Sequence, residues 1–327
     1  LNGTETPFLT ALKKQECCTI FSLGKGSVYN LLLIFKIIPF LKKYDILHVH
    51  LFPALYFVAI AKLFLFSKVP LIFTEHSTNN RRLENPIFKY SDQFIYKFYK
   101  RIVCITEKVF KIIQKHTNLP AKRFQLIENG VNLSAIAESA ILNKNEIVSI
   151  FNDEDKVVIQ VSSFQEPKDQ PTLIKAMKHV PENVKLILVG DGVLRNACEN
   201  LVKTLNLENR VFFLGIRTDV PQLLKSSDLV VLSSKYEGLS LASIEGMASR
   251  KPFIAADVPG LKEIVVGAGL LFPQGDEKAL AKMITELLND EKLYSKVAEA
   301  CQTRAALYDI NKMVEKHIAL YQSICNE

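Results

Sequence analysis

Cysteines with the spacing of a metal site or a redox motif are missing from this 327-residue sequence. Its six cysteines form no C-x-x-C pair and show no spacing typical of a metal site. Disulfide-rich and zinc-binding proteins depend on such spacings. The sequence therefore predicts a protein of a reduced compartment and predicts no metal ligands.

A long apolar run is missing as well. The stretch 51–66 is apolar but contains Pro53 and Lys62, and a helix that spans a bilayer needs about 20 apolar residues. We therefore predict a helix that covers a sheet. No signal peptide, internal repeat or low-complexity stretch is visible. The chain begins with Leu1 rather than Met, so we expect it to be a fragment.

Acidic residues are scarce in the first half. Residues 1–150 contain 20 Lys and Arg against 10 Asp and Glu, a net charge of +10, and the remainder contains 21 against 24, or −3, giving the +7 of the whole chain. A basic half suits an anionic partner such as a membrane surface or a phosphorylated lipid acceptor. No nucleic-acid-binding motif is present, so we expect no nucleic-acid partner.

The second half alternates between strand-length apolar segments and helical patterns. An apolar content of 48% with 23% charged residues describes a globular protein, and 327 residues suit two domains. The alternation predicts a doubly wound parallel sheet. The predicted strands are 156–161, 184–190, 210–215, 229–232 and 252–256, and the predicted helices are 170–179, 194–205, 220–225, 240–248, 276–289, 291–308 and 311–325.

The first half has a looser pattern of the same kind. The helix predicted at 88–100 mixes aromatic residues with lysines. It suits either a membrane interface or ordinary packing with a basic solvated face, and both interpretations stay open. The other predicted elements are strands at 19–23, 44–50, 69–74, 101–105 and 124–127, and helices at 30–43 and 51–66.

The stretch 229–263 indicates a binding site. A buried strand is followed by a polar loop, and Ser240 is predicted to cap the next helix. In parallel sheets ligands bind at the carboxyl ends of strands, where a helix start offers free N–H groups to an anion. Glu237 lies beside that start and Glu245 about one turn inside the helix. This layout suits a ligand with a phosphate in the middle and hydroxyls at both ends, such as a nucleotide-sugar.

The same stretch resembles the E-x7-E signature of retaining glycosyltransferases of family 4. The matching residues are Glu237, Gly238, Leu239, Glu245, Gly246, Met247, Ala248, Lys251 and Pro252. The resemblance covers nearly all of the second half with specific motifs and the first half only loosely. It implies an α/β protein of the GT-B fold, in which two Rossmann-like doubly wound parallel-sheet domains face a cleft.

The resemblance also implies domain boundaries. Residues 1–132 would form an acceptor-side domain that lacks the family's first strand and Gly-rich loop, and 156–310 would form the nucleotide-sugar-binding domain. We interpret 133–155 as a polar linker, with the acidic triplet 153–155 as solvated surface rather than a metal site. The helix in 311–327 would pack back on the first domain.

Donor-site roles follow from the same resemblance. Glu237 would bind hydroxyls of the donor sugar, Glu245 would bind those of the ribose, and Lys168 would stabilise the leaving diphosphate. Where the family has an Arg five residues before this Lys, the chain has Ser163. Serine brings no charge, and charge-assisted hydrogen bonds are roughly twice as strong as neutral ones. Arg217 or another cation would have to substitute.

Backbone groups complete the implied donor site. Glycines at a strand-to-helix turn let the backbone approach a ligand, and Arg217 lies in a loop that the family places near the base. The residues implied to bind the donor through these turns are Gly190, Asp191, Gly192, Gly238, Leu239, Ser240 and Leu241.

In the first half, His76 resembles the family's histidine close to the transferred sugar, and it joins Glu237 and Lys168 as an implied catalytic residue. His48 and His50 alternate on one predicted strand and so share a face. A metal would need a third ligand, and none is placed for it, so we interpret both as core or cleft-lining residues. The pair 81–82, two arginines, meets either an acceptor phosphate or water.

The implied activity is a metal-independent, retaining hexosyl transfer in bacterial surface polysaccharide synthesis. The donor would be a nucleotide-diphosphate sugar, UDP-linked rather than GDP-linked, and the acceptor a glycan or a lipid-linked glycan. No cofactor is expected. We expect a cytoplasmic protein, in peripheral contact with the inner face of the membrane through its basic first domain.

Two alternatives stay open. One is a nucleotide-sugar 2-epimerase of the same fold. The other is a non-catalytic glycosyltransferase-like partner subunit, which Ser163 and the missing amino-terminal loop favour.

Overall fold

The computed structural model of the chain describes residues 7–15, 17–76, 83 and 85–326. The chain divides into two compact units. The first contains the described residues up to Glu128 together with those from Glu315 onward, and the second contains Asn129–Val314. Each unit holds one all-parallel sheet with helices connecting its strands. The predicted fold class of two parallel-sheet α/β domains is confirmed.

The first unit is built around a four-stranded sheet. The strands lie in the order in which the chain forms them, and the second is buried along its whole length, as expected for a strand covered on both faces. They are β1 (Leu47–His50), β2 (Leu71–Glu75), β3 (Tyr99–Cys104) and β4 (Phe124–Leu126). The helices are α1 (Pro7–Lys13), α2 (Leu33–Lys43), α3 (Ala54–Phe64), α4 (Pro86–Ile95) and α5 (Glu107–Thr117).

The second unit is built around a six-stranded sheet. Its strands are β5 (Lys156–Val161), β6 (Val184–Val189), β7 (Val211–Gly215), β8 (Leu229–Leu232), β9 (Phe253–Ala256) and β10 (Leu270–Phe272), in the order β10-β9-β8-β5-β6-β7. Its helices are α6 (Leu133–Glu138), α7 (Lys144–Ile147), α8 (Gln170–Ala176), α9 (Arg195–Thr204), α10 (Val220–Ser226), α11 (Leu241–Ala248), α12 (Lys262–Val265), α13 (Glu277–Asn289) and α14 (Glu291–Ala305). The last helix, α15 (Ile310–Asn326), begins in the second unit and ends in the first.

Some predicted elements of the first unit are wrong. Residues 19–23 form no strand, because they are mostly exposed and pair with no other strand of the described chain. The helix predicted at 88–100 ends at Ile95, and a 3-10 turn (Tyr96–Phe98) leads directly into β3. None of the helices in the described ranges has the length and apolarity that a bilayer crossing requires.

Two differences concern the second unit. The segment 133–155, which we interpret from its polarity as a linker, contains α6 and α7, and it places Ile136, Ile147 and Phe151 in the core of the second unit. A few well-spaced apolar side chains are enough to dock an otherwise polar segment. The three-residue strand β10 is not predicted, because so short an apolar run carries no periodic signal.

The strand order places a switch point beside β5. The chain adds β6 and β7 on one side of β5 and then crosses to add β8, β9 and β10 on the other side. The loops that leave β5 and β8 therefore diverge at the carboxyl edge of the sheet. In open α/β sheets this is where ligands bind.

The helix α11 packs on this sheet with no space for a side chain at Gly246. An added Cβ there would lie 2.8 Å from side-chain atoms of both Val230 and Phe253. Val230 and Phe253 are buried residues of β8 and β9. The glycine therefore sets how close the helix comes to the strands.

We expect Gly246→Ala to lower the free energy of unfolding by about 1–3 kcal/mol, because the new methyl group overpacks a closed interface. Urea unfolding measures the change. Gly238→Ala is the matched control, since a Cβ there meets no atom within 4 Å. Equal stability of the two variants would contradict the packing described.

Candidate active site

An ion pair joins the loops that leave β5 and β8. The Lys168 Nζ lies 2.6 Å from Glu237 Oε1, and the Ser234 hydroxyl donates to the same oxygen at 2.7 Å. The carboxylate of Glu237 is 10% exposed and the Lys168 side chain 24%. Two oppositely charged residues that are 69 positions apart in sequence are therefore paired at the switch point.

A buried amide holds both loops in place. Gln160 lies in β5, is 1% exposed, and donates toward the Lys168 carbonyl at 3.2 Å. The Ser233 hydroxyl, directly after β8, lies 2.9 Å from Gln160 Oε1 and 2.8 Å from the Asp169 carbonyl. These bonds fix the backbone on either side of the Lys168–Glu237 pair. Our sequence reasoning missed Gln160 and Ser233; the signal was one polar residue inside the apolar strand 156–161.

The loop after β6 supports the loop after β5. Gly190 has φ 134°, and an added Cβ would lie 2.1 Å from the Ser162 carbonyl oxygen, so only glycine fits. Phe164 N–H donates to the Asp191 carbonyl at 2.9 Å. An added Cβ at Gly192 would lie 2.4 Å from the Phe164 carbonyl oxygen. In this structure the predicted glycine turn holds a neighbouring loop, which is a structural role that sequence reasoning did not assign to it.

Ser163 stands at the position of the family's arginine, and Arg217 is the candidate to substitute for it; both have partners within the second unit. The Ser163 carbonyl accepts from Gln170 Nε2 at 2.9 Å, and its side chain is half-buried. The Arg217 guanidinium is bound to both carboxylate oxygens of Asp219, at 2.7 and 2.5 Å. This hydrogen bonding raises the pKa of Arg217 and lowers that of Asp219. Arg217 is therefore paired with an acid of its own loop in this structure.

The start of α11 offers donors to an anion. Ser240 caps the helix as predicted, accepting from Ser243 N–H at 3.3 Å. The N–H groups of Leu241 and Ala242 have no recorded acceptor within the described chain. Leu239 is partly buried against the core, and Leu241 is 40% exposed. The exposed helix start, with its positive dipole end, is suited to a phosphate.

Glu245 lies one turn further along α11. Its side chain is half-buried, and burial raises the pKa of its carboxyl. Among the described residues no hydrogen bond or ion pair of this carboxylate is recorded. A carboxylate that is partly desolvated without compensation is costly. Such a group is prepared to bind ligand hydroxyls.

The first unit collects four histidines at the carboxyl ends of β1 and β2. His50 Nδ1 lies 3.0 Å from His76 Nε2, the rings of His48 and His50 lie 4.3 Å apart, and His317 lies 5.6 Å from His48. Tyr321 meets His48 Nδ1 at 2.7 Å. Sequence reasoning placed His48 and His50 together on one strand face and treated His76 separately. It missed His317 and Tyr321, which lie on α15 near the far end of the chain.

Burial, with crowding by neighbouring histidines, keeps the imidazoles of His48 and His50 neutral. Burial, followed by the neighbouring histidines, lowers the pKa of His48 from 6.5 to about 3, and the same causes lower that of His50 to about 4. Burial also lowers the pKa of His76. The His50–His76 bond uses one ring nitrogen of each residue, and no bond of His76 Nδ1 is recorded within the described part of the chain. The arginine pair 81–82 lies outside the described residues.

No three His, Cys, Asp or Glu side chains within the described ranges are grouped so as to hold a metal ion. In the acidic triplet 153–155, one residue is buried and hydrogen-bonded and the other two lie on the surface. Asp155 is buried and accepts from the Asn152 N–H at 2.9 Å, while Asp153 and Glu154 are exposed.

Two family models match the chain. The model described as Glycosyl transferases group 1 matches residues 143–304, and that described as Glycosyltransferase Family 4 matches residues 18–135. The chain carries two glycosyltransferase family domains. Their extents follow the second and first units.

Named relatives are similar over most of the chain. The N-acetyl-alpha-D-glucosaminyl L-malate synthase of Bacillus anthracis is 28% identical over 286 residues, which are 86% of this chain and 74% of the relative. The UDP-Gal:alpha-D-GlcNAc-diphosphoundecaprenol alpha-1,3-galactosyltransferase of Escherichia coli is 26% identical over 321 residues, 93% of this chain and 81% of that enzyme.

Solved structures share the fold. Anabaena HepE in complex with UDP-glucose has a TM-score of 0.83 at 23% identity, covering 98% of this chain and 90% of that one. A glycosyltransferase from Rickettsia africae has a TM-score of 0.80 at 22% identity, covering 98% and 88%. The two family domains identify the chain as a glycosyltransferase, and these likenesses show that it has the GT-B fold.

The histidine cluster predicts an acid-sensitive first unit. In the unfolded chain His48 binds a proton near pH 6.5, whereas in the folded chain it does so only near pH 3. The unfolded state therefore binds more protons than the folded state between these pH values. The contribution of neutral His48 to the free energy of unfolding is fully present above pH 6.5 and is lost as the pH is lowered toward 3.

Urea unfolding at pH 7 and pH 5 tests this expectation. His48→Gln should lose less stability between the two values than the wild type, because glutamine does not titrate. His179→Gln, which replaces an exposed histidine of the second unit, should keep the wild-type loss. If all three proteins lost the same free energy of unfolding between pH 7 and pH 5, the lowered pKa of His48 would be contradicted.

Proposed function

We propose that this glycosyltransferase is a retaining, metal-independent hexosyltransferase. It moves a sugar from a nucleotide-diphosphate sugar, UDP-linked in preference to GDP-linked, to a glycan or lipid-linked acceptor in bacterial surface polysaccharide synthesis. The observation that carries the proposal is the arrangement of three groups on the second unit: the Lys168–Glu237 pair, the open helix start and the unpartnered Glu245.

Glu245 binds the ribose of the donor in this proposal. A half-buried carboxylate without a partner gains two hydrogen bonds when it meets a pair of vicinal hydroxyls, and its burial makes those bonds stronger than they would be in water. The free N–H groups of Leu241 and Ala242, one turn earlier, then lie at the position of the diphosphate.

Lys168 and Glu237 exchange partners when the donor binds. The diphosphate replaces Glu237 at the Lys168 ammonium, and Glu237, still held by Ser234, turns to hydroxyls of the donor sugar. As the bond to the sugar breaks, negative charge develops on the leaving phosphate, where Lys168 and the helix start stabilise it. This gives Lys168 a transition-state role and Glu237 a positioning role.

His76 serves the transferred sugar or the acceptor hydroxyl in this proposal. Its bond to His50 sets the orientation of the ring, and its lowered pKa keeps it neutral and able to accept or donate a hydrogen bond near pH 7.

Named relatives support the substrate classes. The E. coli relative is named for a UDP-galactose donor and a diphosphoundecaprenol acceptor, and a Campylobacter jejuni relative, 26% identical over 195 residues, is also named for a diphospho-undecaprenol acceptor. Anabaena HepE has been solved with UDP and with UDP-glucose. A cytoplasmic protein in peripheral membrane contact, with no cofactor beyond the donor, fits such acceptors.

The first prediction concerns nucleotide binding. UDP should raise the thermal midpoint of the wild type more than GDP does. A ligand that binds only the native state adds about 2.7 kcal/mol to the free energy of unfolding when its concentration is a hundred times Kd. Glu245→Ala should abolish that rise. The control Glu208→Ala, an exposed acid elsewhere in the second unit, should keep it. If neither nucleotide raises the wild-type midpoint, the chain is better explained as a non-catalytic partner.

The second prediction concerns catalysis by Lys168. Lys168→Met should lower kcat for release of UDP from a UDP-sugar by about 100-fold, because it removes one preorganised cation from the leaving group. Lys178→Met, an exposed lysine, is the control. A rise in KM with unchanged kcat would show that Lys168 binds substrate and transition state equally, contrary to its proposed role.

A further inference from the structure

A basic pocket of about 550 Å³ lies in the first unit. Five of its lining residues are cations, no acid of the described chain is among the lining residues, and the rest of the lining is apolar. The cations are Lys62, Lys68, Lys97, Lys100 and Arg123.

The pocket lies at the amino-terminal ends of the strands. Lys68 lies in the loop before β2, Lys97 in the turn before β3, and Arg123 directly before β4. The histidine cluster occupies the carboxyl ends, and one strand of this sheet separates the two edges by roughly 15–20 Å. The basic pocket is therefore distinct from the proposed active site.

Two of the cations that line the pocket, Arg123 and Lys62, are partly buried. Arg123 Nη2 donates to the Lys97 carbonyl at 2.8 Å, but Arg123 Nε is buried and has no hydrogen-bond partner in the described chain. Burial, and then the charge of Arg101, lowers the pKa of Arg123, and burial lowers that of Lys62. Lys62 Nζ donates to the Val69 carbonyl, so Arg123 Nε is the group without an acceptor among the described residues. Partly desolvated cations that line one pocket are costly, and an anion bound there offsets that cost.

Two further cations are available to such an anion. The side chains of Lys68 and Lys97 are exposed, and no hydrogen bond or ion pair of either ammonium is recorded among the described residues. Lysine and arginine together are the donors that bind phosphate oxygens in proteins.

The end of α3 presents aromatic side chains beside this pocket. Ser67 N–H bonds to the Lys62 carbonyl and Phe66 N–H to the Leu63 carbonyl, so the helix ends in a Schellman motif with Phe66 at φ 49°. Glycine usually fills that position because a side chain is strained there. Phe66 is nevertheless 88% exposed, and Phe64 is 64% exposed. Packing within the fold explains neither ring.

We propose that the basic pocket binds a phosphoryl group, and that Phe64 and Phe66 favour the headgroup of an anionic lipid as its source. Aromatic rings enter the membrane interface while lysines reach lipid phosphates. The inference rests on the proposed function only for its membrane setting, since donor binding belongs to the second unit.

Vesicle binding by a charge-reversal pair tests the pocket. We expect Lys68→Glu/Lys97→Glu to bind phosphatidylcholine vesicles that contain phosphatidylglycerol at least about tenfold more weakly than the wild type. The control Lys108→Glu/Lys111→Glu changes the charge equally on exposed residues of α5 that do not line the pocket, and it should bind nearly as the wild type does.

Two more measurements show whether the bound phosphoryl group belongs to a lipid headgroup or to a free phosphate. If the source is a lipid, Phe66→Gly should raise the thermal midpoint, by relieving the strained position, and still weaken vesicle binding. If the source is a free phosphate, pyrophosphate should raise the midpoint of the wild type and the control but not of the pocket variant. If the pocket variant matches the control with both vesicles and pyrophosphate, the proposal is overturned. Stabilisation by UDP should be the same in all these variants, so it tests the proposed function separately.

Discussion

One buried amide holds the parts of the site together. Gln160 lies in the middle of the central strand β5, 1% exposed, and bonds to groups on the loops that follow both β5 and β8. An amide this deep is costly unless its donors and acceptor are all bonded, so these loops keep one mutual arrangement. Because of that arrangement, Lys168 and Glu237 lie within 2.6 Å of each other at the switch point of the sheet.

Three cations on the loops of the second unit are paired with carboxylates. Lys168 is bound to Glu237, Arg217 to Asp219, and Lys235 to Glu166. In the proposed mechanism a diphosphate exchanges one ion pair for another, which limits the desolvation cost of binding. Glu245 is different, because it is half-buried and without a recorded partner in the described chain, and the proposal therefore assigns the ribose to it.

Elements with strong local signals could be predicted from the sequence. The bounds of β5 and β8 and the cap at Ser240 agree with the structure, because apolar runs and capping residues act within a few positions. The docking of 133–155 could not be predicted, since it depends on where three scattered apolar residues meet a core. Neither could the contact of Tyr321 with His48, whose partners are 273 residues apart, because topology rather than periodicity brings them together.

A crystal structure of the chain with UDP tests the central claim most directly. We expect the ribose hydroxyls to lie within hydrogen-bond distance of the Glu245 carboxylate and a phosphate to lie at the start of α11. We also expect Lys168 to have left Glu237 for a phosphate oxygen. A nucleotide bound elsewhere, with the Lys168–Glu237 pair intact and Glu245 still unpartnered, would contradict it.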